Sequence, residues 1–224
     1  MNNTPSPLAF GNTVGNDGIW MQLLNRAQGS GRRPTLFLDR DGVILEETHY
    51  LHTVEDTRLM PGAADAIRHA NTLGLPVVVV TNQSGIGRGI YNWADFAAVQ
   101  EKMLDDLAGA DAFVNVVMAC PFHAEAEAPW NVADHPDRKP LPGMLQRAGD
   151  MLAVDYGASW IIGDHASDLQ AGKAAGLLGG MHVWCGHGSH AGQRDNAWKT
   201  AGNGFSVVEG DSIADAMEIL PLFA

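Results

Sequence analysis

LFLDRDGV, residues 36 to 43, is an apolar run that ends in Asp39 and Asp41 with Gly42 directly behind them. A run without a polar face reads as a buried strand. Residues two apart on an extended chain project to the same side, so the two carboxylates crowd one spot at the strand's carboxyl end. At about 4 Å such a repulsion amounts to roughly 1 kcal/mol in water and about 4 kcal/mol at an effective dielectric of 20. A cation offsets it, and a divalent metal is the natural candidate. The plain alternative is a strand end followed by an Asp-Gly turn.

Three further segments argue against that alternative. PVVVVTNQSGIGRG, residues 76 to 89, is another β-branched run, ending in Thr81, Asn82, Gln83 and Ser84 before a glycine-rich loop that carries Arg88. A hydroxyl, an amide and closely spaced backbone N–H groups at a strand end suit phosphate binding. DRKPLPGM, residues 137 to 144, places Arg138 and Lys139 on a proline-stiffened loop. SWIIGDHASD, residues 159 to 168, is a third apolar run; it ends at Asp164, with Asp168 in the first turn of the helix that follows.

In this order, a DxD strand, a strand ending in Thr, a Lys and a GDxxxD segment resemble the four motifs of the haloacid dehalogenase-like (HAD) phosphohydrolases. The match spans about residues 34 to 186. DRDGVI, TNQSGIGRG, RKPLPGM and GDHASDLQAG are similar to the D-glycero-D-manno-heptose-1,7-bisphosphate 7-phosphatases and the related histidinol-phosphate phosphatases.

Composition agrees with one soluble enzyme. A chain of 224 residues fills one well-buried α/β core. The formal charge of −12 argues against nucleic acid or an anionic membrane as partner. No apolar stretch approaches the roughly 18 residues of a membrane span, and two cysteines, Cys120 and Cys185, suit a reducing compartment. A cytoplasmic, monomeric enzyme acting on a small phosphorylated metabolite is the expectation.

Residues 1–33 read as a loose extension, with a short helix around Ile19 to Ala27, and residues 34–224 as a single domain. From Pro61 onward, strands alternate with helices. Helices are expected to end at Gly74, to run from Asn92 or Trp93 to about Ala108, and to cover 143–154, 167–175 and 212–220. Strands are expected near 113–119, 159–164, 181–185 and 205–208. This alternation predicts a Rossmann-like parallel sheet with helices on both faces. The insertions at 41–61 and 120–142 are too short for a folded cap domain.

What the resemblance implies about mechanism can be carried over residue by residue. Asp39 would be the nucleophile that forms an aspartyl-phosphate, and Asp41 the general acid and base. Mg²⁺ would be held by Asp39, Asp164 and the backbone carbonyl of Asp41, with Asp168 orienting that shell. Thr81 and the backbone N–H of Asn82 would grip the phosphoryl oxygens, while Lys139 screens the charge between Asp39 and the incoming dianion. Gln83, Ser84, Arg88, Arg138 and His165 are expected on the substrate side. The heptose enzymes usually carry Lys where this chain has His165, a departure that bears on the substrate: a heptose bisphosphate, or histidinol phosphate or another small monoester.

The relatives also often carry a zinc loop. Here its positions read Cys120, Phe122, His135 and Asp137, with His123 one residue late, so a packed loop without zinc is expected. His182, His187 and His190 read as surface or loop histidines. A phospho-receiver module also gathers acids, a Thr and a Lys around Mg²⁺, but it lacks an Asp two residues after the phosphorylated one. The DxD spacing therefore favours an enzyme over a signalling module.

Overall fold

A computed structural model of the chain describes residues 13–25 and 31–224. The apolar runs become adjacent strands of one sheet. These are β1 (Trp20–Leu23), β2 (Leu36–Leu38), β3 (Val77–Asn82), β4 (Val116–Cys120), β5 (Trp160–Gly163), β6 (Gly179–Val183) and β7 (Ser206–Gly210), in the spatial order β1-β4-β3-β2-β5-β6-β7. All neighbours run parallel except β1, which pairs antiparallel with β4.

The helices are α1 (Ala63–Thr72), α2 (Ser84–Gly87), α3 (Trp93–Gly109), α4 (Gly143–Leu152), α5 (Ala166–Ala175), α6 (Gln193–Trp198) and α7 (Ala216–Ile219). Alternate residues of the central strands face opposite layers. Leu36, Leu38, Val77, Val79 and Ile162 pack with apolar residues of α1, α3 and α7. Phe37, Val78, Val80 and Ile161 pack with those of α4, α5 and α6. Both faces are dry, which is why the strands read as continuous apolar runs.

Helix starts follow local chemistry. Asn92 caps α3, its Oδ1 accepting from Asp95 N at 3.2 Å and Ala94 N at 2.7 Å, while Asp95 Oδ2 accepts from Asn92 N at 2.9 Å. This reciprocal box satisfies amides that have no partner inside the helix.

Several expectations need correction. The helix expected around Ile19 to Ala27 is not there: Trp20–Leu23 is a strand, and Ala27 lies outside the described residues, as do residues 1–12 and the rest of 26–30. Tertiary pairing overrides local pattern here. Trp20 is fully buried, stacked on Trp93 with centroids 5.7 Å apart and edge-on to Phe96 at 5.0 Å. Residues 212–220 are not one helix but a 3-10 turn, Ile213–Asp215, running into α7. The turn α2 and the helix α6 are additions to the sequence reading.

Trp20→Ala should lower stability by about 3–5 kcal/mol, as for other buried large aromatics. Denaturant unfolding would measure it. A loss below about 1 kcal/mol would mean that β1 adds little to the fold.

Candidate active site

Every strand that carries a motif ends on the same side of the sheet, where an open α/β fold leaves a crevice. The chain stops being extended after Leu38. Asp39 keeps one ladder bond, its N–H donating to Ile162 O at 3.0 Å, and then the amides of Ile44 and Leu45 both return to Arg40 O at 2.9 Å. Gly42 makes that turn with φ 80°, and a Cβ there would sit 2.3 Å from Asp164 Oδ2. Only glycine leaves room for both the turn and the facing carboxylate.

Around this turn lies a cleft of about 450 Å³. Asp39, Asp41, Thr81, Lys139, Asp164 and Asp168 all line it, so β2, β3, β5 and the loop before α4 contribute together.

Lys139 is buried at the centre. Its Nζ lies 2.6 Å from Asp168 Oδ1 and 3.0 Å from Asp39 Oδ1, and donates to Val80 O at 2.8 Å. Asn82 secures the lysine's peptide: its Oδ1 accepts from Lys139 N at 3.1 Å and its Nδ2 donates to Lys139 O at 3.0 Å. The Asn82 side chain therefore serves the lysine loop, whereas the sequence reading placed the residue on the phosphoryl group through its backbone.

Burial pushes the Asp39 carboxyl well above its ordinary range; Lys139 opposes this, and Asp168, Asp164 and Asp41 add to it. Burial works against the Lys139 ammonium too, but Asp168 and Asp39 outweigh it and raise its pKa. Asp164 behaves differently. Burial acts to raise it, yet hydrogen bonding from His187 and the nearby His165 charge hold it below the usual range.

The donor set fits a hard divalent cation. Carboxylate oxygens of Asp39, Asp164 and Asp168 lie within 4.8 Å of one another. Asp164 Oδ1 is buried and accepts no hydrogen bond from the protein. An anionic oxygen left that way is costly unless a cation meets it, and a cation would also offset the burial that disfavours ionised Asp39. Asp168 has its oxygens engaged, one by Lys139 and the other by His165 N at 2.9 Å. These contacts suit the orienting place expected of it beside the metal shell.

The substrate-side expectations divide. Ser84, Arg138 and His165 line the cleft. Arg138 Nη1 donates to Phe122 O at 2.8 Å, and His165 Nδ1 is 3.0 Å from Gln193 Nε2. Arg88 is a correction: it is not part of the lining but joins the Tyr50 hydroxyl, at 2.7 Å, to Glu125. It thereby ties the two insertions together beside the mouth. Gln83 lines the cleft as well, but it is buried and its amide is bonded to protein groups.

Sequence reasoning missed Arg40, Glu47, His49, Tyr50, Tyr91 and His187. His187 lies in the turn after β6, as a loop histidine, and lines the cleft, its N–H donating to Asp164 Oδ2 at 2.7 Å; His182 is a correction, being fully buried in β6. His49 and Tyr50, with φ of 58° and 66°, hold consecutive left-handed conformations and point into the cleft. Non-glycine residues rarely adopt these conformations, and they concentrate at functional loops.

At the positions of the relatives' zinc loop, other contacts prevail. The His135 ring stacks on Phe122 with centroids 3.8 Å apart, Asp137 pairs with Arg147 at 2.9 Å, and His123 Nδ1 accepts from Glu125 N at 3.0 Å. Cys120 is buried, and burial pushes its thiol up to about 12.

Comparison with known proteins agrees with this geometry. A family model described as haloacid dehalogenase-like hydrolase matches residues 14–176. The D-glycero-beta-D-manno-heptose-1,7-bisphosphate 7-phosphatase of Mesorhizobium japonicum is 44% identical over 180 residues, which cover 80% of each chain. A crystal structure from Mesorhizobium loti described as HAD-like superposes with a TM-score of 0.74 at 44% identity, covering 77% of this chain and 82% of that one. The D,D-heptose 1,7-bisphosphate phosphatase of B. bronchiseptica, solved with magnesium and phosphate, superposes with a TM-score of 0.69 at 28% identity, covering 83% of this chain and 97% of its own. The chain belongs to the haloacid dehalogenase-like hydrolases and is a phosphoric monoester phosphatase among them.

Proposed function

We propose that this enzyme removes the 7-phosphate of D-glycero-D-manno-heptose 1,7-bisphosphate through an aspartyl-phosphate on Asp39. The observation that carries the chemistry is the buried cluster in which one lysine and three aspartates face a cleft. The substrate rests on the names of the relatives. Asp39 attacks phosphorus in line, while Asp41 gives a proton to the departing sugar oxygen. Asp41 then takes a proton from the water that hydrolyses the intermediate. Thr81 and the Asn82 N–H hold phosphoryl oxygens, and Lys139 lets a dianion approach a carboxylate.

Mg²⁺ would be held by Asp39, Asp164 and the Asp41 carbonyl. Bound there, it neutralises phosphoryl charge as a Lewis acid. Arg138 supplies a fixed cation for the part of the substrate beyond the reacting phosphate, and His165 an imidazole where the heptose enzymes usually carry lysine. Tyr50 and His49 add polar edges to the same mouth. Among the described residues no helix is long and apolar enough to cross a membrane.

The test is phosphate release with and without Mg²⁺ from the heptose bisphosphate, histidinol phosphate and simple sugar phosphates. The heptose bisphosphate should exceed the others in kcat/KM by about 100-fold, some 2.7 kcal/mol of transition-state preference. EDTA should remove most turnover, and Mg²⁺ at a hundredfold excess over Kd should stabilise the fold by about 2.7 kcal/mol. Full turnover in EDTA would refute the metal assignment. A preference for histidinol phosphate would refute the substrate.

A further inference from the structure

Gln83 sits at the head of what reads as a phosphate loop, yet its amide faces the protein. Its Nε2 donates to Asp41 Oδ2 and to Thr81 Oγ1, both at 2.8 Å. Its Oε1 accepts from the Tyr91 hydroxyl at 2.5 Å and from Arg40 Nη2 at 3.3 Å. A carboxylate only accepts and a guanidinium only donates, so one amide orientation alone satisfies these partners.

Arg40 completes the arrangement. It is fully buried, with its guanidinium carbon 4.8 Å from the centre of the Phe96 ring. Its Nε donates to Asp41 Oδ1 at 2.8 Å and its Nη2 to Asp41 Oδ2 at 2.9 Å. A buried ion pair is a poor stabilising device, because apolar replacements are often as good or better. Its place beside the carboxyl group that moves protons argues for a role in the reaction.

The bonding also distinguishes the two oxygens of Asp41. Oδ2 accepts from Gln83 and Arg40, which fills both its lone pairs, whereas Oδ1 accepts from Arg40 alone. A proton on Asp41 therefore resides on Oδ1. We propose that Gln83, held in one orientation by Tyr91 and Arg40, is a positioning residue that directs the proton of Asp41 to Oδ1 and fixes that oxygen relative to Thr81.

The inference rests on the reading of Asp41 as general acid and base. In the first step the bond from Asp39 to phosphorus forms, the ester P–O bond breaks, and the Oδ1 proton passes to the leaving oxygen. In the second, water oxygen bonds to phosphorus, the Asp39–phosphorus bond breaks, and a water proton returns to Oδ1. Thr81 stands at the end of β3 and Asp41 in the turn after β2, and the Gln83 side chain is bonded to both, so it aligns the phosphoryl grip with the proton path.

The experiment compares an alkyl phosphate monoester with p-nitrophenyl phosphate in the Mg²⁺-loaded full-length enzyme. Gln83→Leu should lower kcat/KM on the alkyl ester about 10- to 100-fold more than on the nitrophenyl ester, whose leaving group needs little protonation. Tyr91→Phe keeps the ring but leaves Gln83 Oε1 held only by the 3.3 Å bond from Arg40 Nη2, so the amide is positioned less firmly, and the same ratio should shift by about 3- to 10-fold. Equal losses on the two esters in both variants, or no loss, would overturn the inference. If Gln83→Leu does not fold, Tyr91→Phe decides alone.

Asp41→Asn serves as the control for the underlying reading. If that variant loses kcat/KM equally on both esters, the acid/base role itself is wrong and the inference falls with it. If Asp41→Asn separates the esters while the Gln83 and Tyr91 variants do not, only the positioning role is lost.

Discussion

Asp39→Asn should lose activity by at least about 10⁴-fold on every phosphomonoester and yield no trapped phospho-enzyme after acid quench, as expected when a covalent nucleophile is removed. Asp41→Asn should behave differently in kind. It should lose roughly 10²- to 10⁴-fold in kcat/KM on sugar and alkyl esters but far less on p-nitrophenyl phosphate, while kcat falls on both and the phospho-enzyme accumulates because the water that clears it lacks a base. The contrast follows from position. Asp39 Oδ1 lies 3.0 Å from Lys139 Nζ inside the cation cluster, whereas Asp41 is held to one side by Arg40 and Gln83. A phosphoprotein trapped in Asp39→Asn, or identical leaving-group profiles for the two variants, would contradict the assignment.

Lys139→Met should damage both stability and turnover. The substitution conserves much of the shape but leaves Asp39 and Asp168 buried without the ammonium that now lies 3.0 and 2.6 Å from them. Removing one partner from a buried ionic group costs about 3–5 kcal/mol, which for a protein of this size is a fall in Tm of roughly 6–20 °C. Turnover should fall by about 10²- to 10³-fold or more, since the incoming dianion would meet carboxylates alone. Lys139→Arg should rescue poorly, because a planar fork cannot replace a point charge in a pocket already closed by Val80 O. The pH dependence has a definite sign. The folded pKa of Lys139 lies above its ordinary 10.5, so its contribution to stability is complete below that value and is lost only as pH rises through the higher folded pKa. Thermal melts between pH 6 and 9 should therefore show the same wild-type advantage from this residue throughout. A Lys139→Met variant that melts with the wild type would show the cluster to be solvated, not buried.

The sequence was most legible where it was most apolar. β2, β3 and β5 are buried on both faces, so each reads as an uninterrupted run, and the residues that do chemistry stand where those runs stop. β1 was illegible because four residues of mixed polarity carry no period of their own; they are a strand because β4 offers an open edge and because Trp20 finds Trp93 and Phe96. Arg40 was hidden by its neighbours. Strand alternation would send it away from both aspartates, but the chain turns at that residue and folds the guanidinium back onto Asp41. His187 and Tyr91 reach the cleft from segments far along the chain, and no local pattern marks such approaches. Arg88 was misread for a related reason: its charge suggested a substrate, while the fold uses it between Tyr50 and Glu125.

The sheet order also sets a timetable for synthesis. β2, which leads into Asp39, lies between β3 and β5, so one of its edges has no partner until residues 160–163 have been made. The hydroxyl that receives Thr35 N at 2.9 Å belongs to Ser159, equally late. β1 must wait in turn for residues 116–120. A nascent chain arrested before β5 exposes an unpaired, apolar strand edge, the kind of surface that recruits chaperones or seeds aggregation. Catalytic competence therefore cannot precede emergence of the GDHASD segment from the ribosome. Truncations ending upstream of it should be recovered as insoluble or chaperone-bound material, not as weak phosphatases.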